Sequence, residues 1–493
     1  MNPTARKLRE ISVKRSSSRK RPRKSASFFN WKTASSKLRE FWSKTGFANS
    51  KTWFFFIVFA ILVALLGGSS RMDVASLLIL RPVTFVAVLV GCIAINSTSV
   101  FYARVPIAIC LASLVLAASQ LIPIPYDLWA ELPGRSAFAD AARVAGIDNG
   151  WRFISMSPTR TINALAALAL PFATLLLFAS LLRERADETV RLICLIGFAS
   201  AILALLQLSG DPRGPLYTYR LTTVGAPVGL FANRNHQAVF LAAILPFFTH
   251  LVVARFKKQK SLDTVAISMV GAAGLLAFVS IITGSRAGFI ALLISAAFSA
   301  WIAKASLAPA VANSKLAWID KRVVAGVLVA VIALISFVAI SSDALLWRRF
   351  QSSSIAGEER AMLLPTTWQM VKDFFPIGSG FGSFEQIYYR YEELDQLSRY
   401  YVNQAHMDWL QVAMEGGVIA IALVLVFSLW VGIRGFALLR AEAKTNQWSR
   451  QMAALSFILS FGMASLVDYA LRVPLAAMVF ANCCVLFAQP KRA

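Results

Sequence analysis

About a dozen apolar stretches, most close to the length of a membrane-crossing helix, run through this chain and leave few folds open to it. They lie at 52–68, 82–97, 105–122, 161–182, 189–209, 236–254, 263–283, 287–303, 322–341, 411–433, 451–470 and 473–489. A spanning helix needs roughly 20 mainly apolar residues. Within the hydrocarbon layer the backbone must satisfy itself, as a helix or as a closed barrel. The stretches are rich in Phe, Leu, Ala and Val without the alternation of a lipid-facing barrel strand. The expected fold is therefore an all-α polytopic membrane protein with about twelve transmembrane helices. Composition agrees, because 15% charged and 57% hydrophobic residues could not cover the surface of a soluble chain of this size.

Charge sets the expected orientation. Residues 1–51 hold fifteen Lys and Arg against Glu10 and Glu40, with too few aliphatics to build a core. The segment reads as a disordered basic cytoplasmic tail lying on anionic membrane lipids, not as a signal peptide or a nucleic-acid binder. With that end inside, Arg183, Arg185, Arg255–Lys260, Lys304–Arg322, Arg434–Lys444 and Lys491–Arg492 also fall inside, as the positive-inside rule expects. Helices 1–9 then occupy 52–341, a large outer loop 342–410, and helices 10–12 the remainder, 411–493, with both termini cytoplasmic. Apart from Lys372, the basic residues placed outside are arginines, among them Arg135, Arg152, Arg160, Arg213, Arg220, Arg234, Arg286, Arg348, Arg349 and Arg360. The guanidinium fork grips phosphate bidentately, so an anionic, phosphorylated ligand suits this face; loop solvation is the plain alternative. The five cysteines fall inside the apolar stretches without metal-ligand spacing and read as packing residues.

Three polar constellations interrupt the apolar pattern. From Arg220 to Phe240 a turn-rich loop with Gly225, Pro227 and Gly229 leads to Asn233, Arg234, Asn235 and His236 at the mouth of a span. The asparagines suit helix capping, His236 reads as an interfacial residue, and Arg220 and Arg234 could hold a diphosphate. In TGSRAGF, Arg286 divides two apolar stretches, and an arginine near membrane depth costs about 2.5–3.5 kcal/mol on insertion scales. That makes it either the tip of an interfacial hairpin or part of a water-lined site. The loop 342–410 carries candidate amphipathic helices marked by Trp347 and Trp368. Next comes PIGSGFGSF, whose Gly378, Gly380 and Gly382 suit either a phosphate-cradling nest or an ordinary turn. Then YYVNQAHMDWLQVAMEGG enters the next span, with Asn403 as expected N-cap and His406 in the first helical turn. Histidine is the natural general base near neutral pH. Asp408 and Glu415 do not share its helical face, so no dyad local in sequence is expected.

Taken in order, Arg220 through Gly229, Phe231, Asn233 and Asn235, then Ser285–Gly288, then Pro376 to Phe384, then Ala405–Gly417, resemble the O-antigen ligase and O-antigen polymerase superfamily over about 160–435. Met407 stands where that family commonly has asparagine. The PIPYDLWAELPGR loop and SMSPTRT make the chain most similar to exopolysaccharide polymerase-like members. The resemblance implies a metal-independent glycosyltransferase with no cofactor. Its donor would be a polyprenyl-diphosphate-linked glycan and its acceptor a sugar hydroxyl, on the periplasmic face of a bacterial inner membrane. It implies His406 as base and Arg286 and Arg220 on the diphosphate as catalytic residues, with Arg234, Asn235, Arg360 and Gly380 as substrate-binding ones. A chain-length regulator and a flippase are further candidate partners. The alternatives are a ligase acting on lipid A-core, a transporter of twelve helices, and a metal-dependent glycosyltransferase. The last needs carboxylates in an early outer loop, and the turn near Ser69–Asp73 is very small.

Overall fold

The computed structural model describes residues 48–311, 363–393, 402–441 and 445–489. The expected span 322–341, residues 1–47 of the expected tail, Trp347 and Arg360 lie outside them. The described chain is helical apart from two short strands: α1 (Ala48–Leu66), α2 (Leu77–Ala94), α3 (Ser97–Ser119), β1 (Pro123–Pro125), α4 (Tyr126–Glu131), α5 (Ser136–Val144), β2 (Trp151–Phe153) and α6 (Pro158–Ser209). Then follow α7 (Arg234–Gln259), α8 (Thr264–Ile282), α9 (Arg286–Val311), a helical stretch over 363–374, α10 (Phe384–Tyr391), α11 (Asp408–Leu439), α12 (Asn446–Ala464) and α13 (Pro474–Ala488). Eight of these helical segments are long and apolar enough to cross a membrane, counting two within α6. The fold is that of an all-α polytopic membrane protein. Each expected span within the described residues overlaps a helix, though 451–470 leaves α12 at Ala464 and ends in the turn that carries Asp468.

Local sequence explains where the helices begin and bend. Asn96, Asn233, Asp263 and Thr445 each accept a hydrogen bond from an amide of the first turn, satisfying donors that no helical carbonyl can reach. The spans 161–182 and 189–209 join in α6 across non-helical backbone at Arg185. In α11 the break is Gly417, at φ 59° and ψ −152°. A Cβ there would lie 2.1 Å from the Pro376 carbonyl oxygen, so this close approach requires glycine.

The bundle is organised around α7, which is buried along most of its length and packs against α6, α8, α9 and α12. Leu78 in α2, Val115 in α3 and Ile267 in α8 remain exposed, as befits helices whose outer faces meet lipid. Outside the long helices, β1 and β2 pair antiparallel with Pro123 opposite Phe153. A small core of Leu363, Met370, Phe374, Phe384, Tyr388 and Met414 stands beside them. The stretch 363–374 is amphipathic, with Met370 and Phe374 buried and Trp368 half exposed.

Two of the outer arginines, open in sequence to a ligand or to plain solvation, instead hold this layer together. Arg135 is fully buried and donates to the carbonyls of Pro133, Ile154 and Gly378. Burial pulls its pKa down to about 10. Arg160 forms a two-pronged pair with Glu385, at 2.9 and 3.0 Å. Together they tie the segment after β2 to the glycine-rich turn and α10.

Candidate functional site

The helix of the AHMDWLQ segment starts later than its sequence suggests. Asn403 does not cap it: α11 begins at Asp408, and His406 stands just before it with a positive φ of 53°. A non-glycine residue held there costs on the order of 1–3 kcal/mol, and such strain clusters at functional sites. The turn is braced from behind. Gln411 accepts from the Ala405 amide at 3.0 Å and donates to Gln404 at 2.6 Å and Glu415 at 2.9 Å. Met407 is buried in the small core beside Leu410 and Met414.

This brace turns the His406 ring toward the connection between α12 and α13. There Asp468, 2% exposed, accepts from the Tyr469 amide at 2.9 Å. His406 Nδ1 lies 3.5 Å from Asp468 Oδ1, and His236 Nε2 lies 3.6 Å from the same oxygen. The Tyr469 ring touches both imidazoles, with centroids 4.8 and 5.2 Å away. Asn235 Nδ2 stands 3.5 Å from Asp468 Oδ2. Both histidine contacts are too long for hydrogen bonds, and His236 Nε2 and His406 Nδ1 are buried without partners. One carboxylate therefore faces two imidazoles, an arrangement suited to accepting a proton and holding the resulting cation.

The remaining acids are engaged by Arg472. Its Nε donates to Asp408 Oδ1 at 2.7 Å, and its Nη1 lies 3.8 Å from Glu415 Oε2. Burial would lower the Arg472 pKa, but the charges of Asp408 and Glu415 outweigh it and raise it. Asp408 and Glu415 thus serve Arg472 and the scaffold, and His406 takes its acidic neighbour from a distant part of the chain.

The other expected site residues are placed as follows. Asn233 caps α7 and accepts from the Asn235 amide at 2.8 Å. Arg234 is partly buried and Arg220 is exposed midway along the loop before α7. That loop is held to the turn after α1 by Ala232 N–H to the Gly68 carbonyl at 3.0 Å, and by Gly68 N–H to the Tyr219 hydroxyl at 2.6 Å. Arg286 opens α9, exposed and without a hydrogen bond to the described residues. Its hairpin docks on α7 one turn beyond Asn235, where Ser280 Oγ donates to the Ala238 carbonyl at 3.0 Å. Gly380 is buried, with its amide on the Glu415 carbonyl at 2.9 Å. A Cβ at Gly380 would lie 2.2 Å from Ser155 Oγ. The amides of Gly378, Ser379 and Phe381 also donate to protein acceptors. This turn is therefore a packing device, its bonded amides not free to cradle a phosphate.

Sequence reasoning missed His236 as a partner of His406, and missed Asp468, Tyr469 and Arg472 altogether. A signal was present. Asp468 sits inside the apolar stretch 451–470, and an ionisable residue within a span marks a functional site by default.

A multi-pass membrane protein with a His–Asp–His cluster at the polar end of its bundle narrows the class to membrane proteins that can move a proton at that end. The family model described as O-antigen ligase matches residues 271–425. The chain thus carries an O-antigen ligase domain over these residues, which supports the O-antigen ligase and polymerase superfamily. Its function is of the O-antigen ligase or polymerase type, a glycosyltransferase-like activity. The match includes Arg286, Gly380 and His406; Arg220, Arg234, His236 and Asp468 lie beyond it. No curated protein matches the chain.

Proposed function

We propose that the protein is a polymerase of surface or exported polysaccharide. It would transfer a glycan from a polyprenyl diphosphate to a sugar hydroxyl at the periplasmic face of the inner membrane, without a metal. The observation that carries this reading is the placement of His406 and His236 against the single buried carboxylate of Asp468. An acceptor hydroxyl must lose its proton as it attacks the anomeric carbon, and the diphosphate departs with the bonding electrons. In this reading His406 takes that proton, and Asp468 steadies the imidazolium. Arg286 and Arg220, with Arg234 as a further donor, neutralise the departing diphosphate. The polymerase assignment, over a ligase acting on lipid A-core, rests on the loop around Pro123–Arg135 and the segment around Ser155–Thr161.

The test is transfer by the purified chain in detergent, with lipid-linked glycan extracted from the source cells. Elongated glycan is expected, and its yield should survive EDTA. Loss with EDTA and recovery with Mg²⁺ or Mn²⁺ would remove the arginine-only mechanism. Orientation is checked in spheroplasts with an impermeant thiol reagent. Cysteines replacing Asp148 and Gln386 should label, and one replacing Lys258 should not.

A further inference from the structure

Two cavities meet at the turn after α1, sharing Ser69, Ser70 and Arg71 as a common wall. The larger, about 250 Å³, is bounded by Thr222, Asn233, His236, Asn403 and Tyr469. The smaller, about 50 Å³, lies against the apolar walls Leu77, Leu80 and Leu170 and gathers Arg71, Arg81 and Arg472.

The chemistry of the two differs. In the larger cavity the one arginine among the described residues, Arg71, is already met by Asp73 through two bonds of 2.9 and 2.8 Å. The other polar lining groups are hydroxyls, amides and an imidazole, types that both donate and accept hydrogen bonds. Sugar hydroxyls do the same, whereas a diphosphate only accepts and calls for cations. His236, 2% exposed, lines this cavity, and its Nε2, turned to Asp468, has no hydrogen-bond partner. Buried polar atoms in native proteins are seldom left so. The volume falls just below the 300–1,000 Å³ typical of sites for drug-sized ligands, as suits a single sugar ring. In the smaller cavity Arg71 and Arg472 are paired with Asp73 and Asp408, and the Arg81 guanidinium makes no hydrogen bond or ion pair with the described residues.

We propose that the larger cavity is the acceptor subsite and holds one uncharged sugar residue of the acceptor glycan, with the attacking hydroxyl against the His236–Asp468–His406 cluster. This rests on the transferase reading, and it adds the class of ligand and the residues that receive it. Ala232 lines the larger cavity but not the smaller one, so Ala232→Phe should fill the first and spare the second.

The experiment uses the full chain in detergent and two probes, read by thermal shift. One is the phosphate-free glycan released by mild acid from the lipid-linked pool of the source cells. The other is undecaprenyl diphosphate. The wild-type chain should bind the free glycan saturably. Ala232→Phe should weaken that binding at least 10-fold and leave undecaprenyl diphosphate within twofold. Asn403→Ala, which removes one neutral hydrogen-bonding group, should weaken glycan binding about 2- to 10-fold. The proposal is overturned if the free glycan does not bind, if Ala232→Phe leaves its binding unchanged, or if Ala232→Phe abolishes undecaprenyl diphosphate binding instead. Should Ala232→Phe not purify as a monodisperse protein, Asn403→Ala decides, and unchanged glycan affinity overturns the proposal. Failure of the transferase reading looks different: glycan binds and responds to both substitutions, yet the wild-type chain forms no product.

Discussion

His236 and His250 stand on the same helix, fourteen residues apart, which is about 21 Å of helical rise. Each has an aspartate oxygen near by, 3.6 Å away for His236 and 3.5 Å for His250. Their surroundings are otherwise opposite. His250 is fully buried, with Nδ1 bonded to Ser449 Oγ at 2.8 Å. Its aspartate, Asp187, is held by Arg450, which also donates to Gln489 at 3.0 Å. Gln451 donates to the Phe487 carbonyl at 3.2 Å, and Arg434 does so at 2.6 Å. That end of the bundle is a clasp securing the last turn of α13. At the other end, His236 makes no hydrogen bond with the described residues and borders a cavity. A histidine beside an aspartate does not by itself define a site. Both leave Nε2 without a hydrogen-bond partner, and open space beside His236 against the Ser449 bond of His250 is what separates the two.

The comparison breaks most easily on the histidines themselves. His406→Ala should slow glycan transfer by about 10²–10⁴-fold, the usual loss with a general base, while undecaprenyl diphosphate still binds. His250→Ala should keep transfer within about threefold and lower the melting temperature instead. Equal losses of transfer in the two variants would erase the distinction.

Asp468→Asn sharpens it further. The amide keeps the size but removes the charge that both imidazoles face. A loss of about 10–100-fold in transfer is expected, matching an interaction of about 1.5–3 kcal/mol with a charged group. Measured in detergent, it should come without a fall in thermal stability as large as that of His250→Ala.

Arg286→Lys tests whether geometry or charge matters at the start of α9. Lysine keeps the charge and loses the bidentate fork. Roughly 10-fold weaker undecaprenyl diphosphate binding is expected, with transfer reduced in step; wild-type affinity in this variant would argue for a point charge alone.

The smallest effect on transfer belongs to the clasp. Arg450→Ala should cost about 1.5–3 kcal/mol of stability, the range for hydrogen bonds to a charged group, with transfer per folded molecule unchanged. Transfer that falls while the melting temperature holds would mean that the two ends of α7 communicate.

Much of this organisation was legible in order along the chain. Hydropathy placed the described helices because partition into lipid is a property of each segment by itself. The capping role of Asn233 followed from side-chain chemistry local to one turn. His406 stood out as a histidine in a polar loop before an apolar run, and the absence of a dyad with Asp408 or Glu415 followed from helical spacing. Where the reading erred, the answer lay in packing between segments distant in sequence. Arg135 and Arg160 stood open to a ligand or to solvent, yet carbonyls and a carboxylate from other segments claim them. Gly380 looked like part of a nest, yet Ser155 presses on it and the Glu415 carbonyl takes its amide.

What the sequence alone determined was the membrane class of the protein, most helix boundaries and one histidine to question. Only the tertiary structure supplied that histidine's partners. Asp468 lies sixty-two residues beyond His406, and His236 precedes it by one hundred and seventy. A hydropathy pattern fixes which segments enter the membrane and leaves open which of them are neighbours. That choice belongs to the close packing of α7 against α9 and α12 and to the bend of α11 at Gly417. The buried Asp468 carboxylate reads in sequence as one polar interruption of an apolar run, and it gains meaning only when two imidazoles are folded against it.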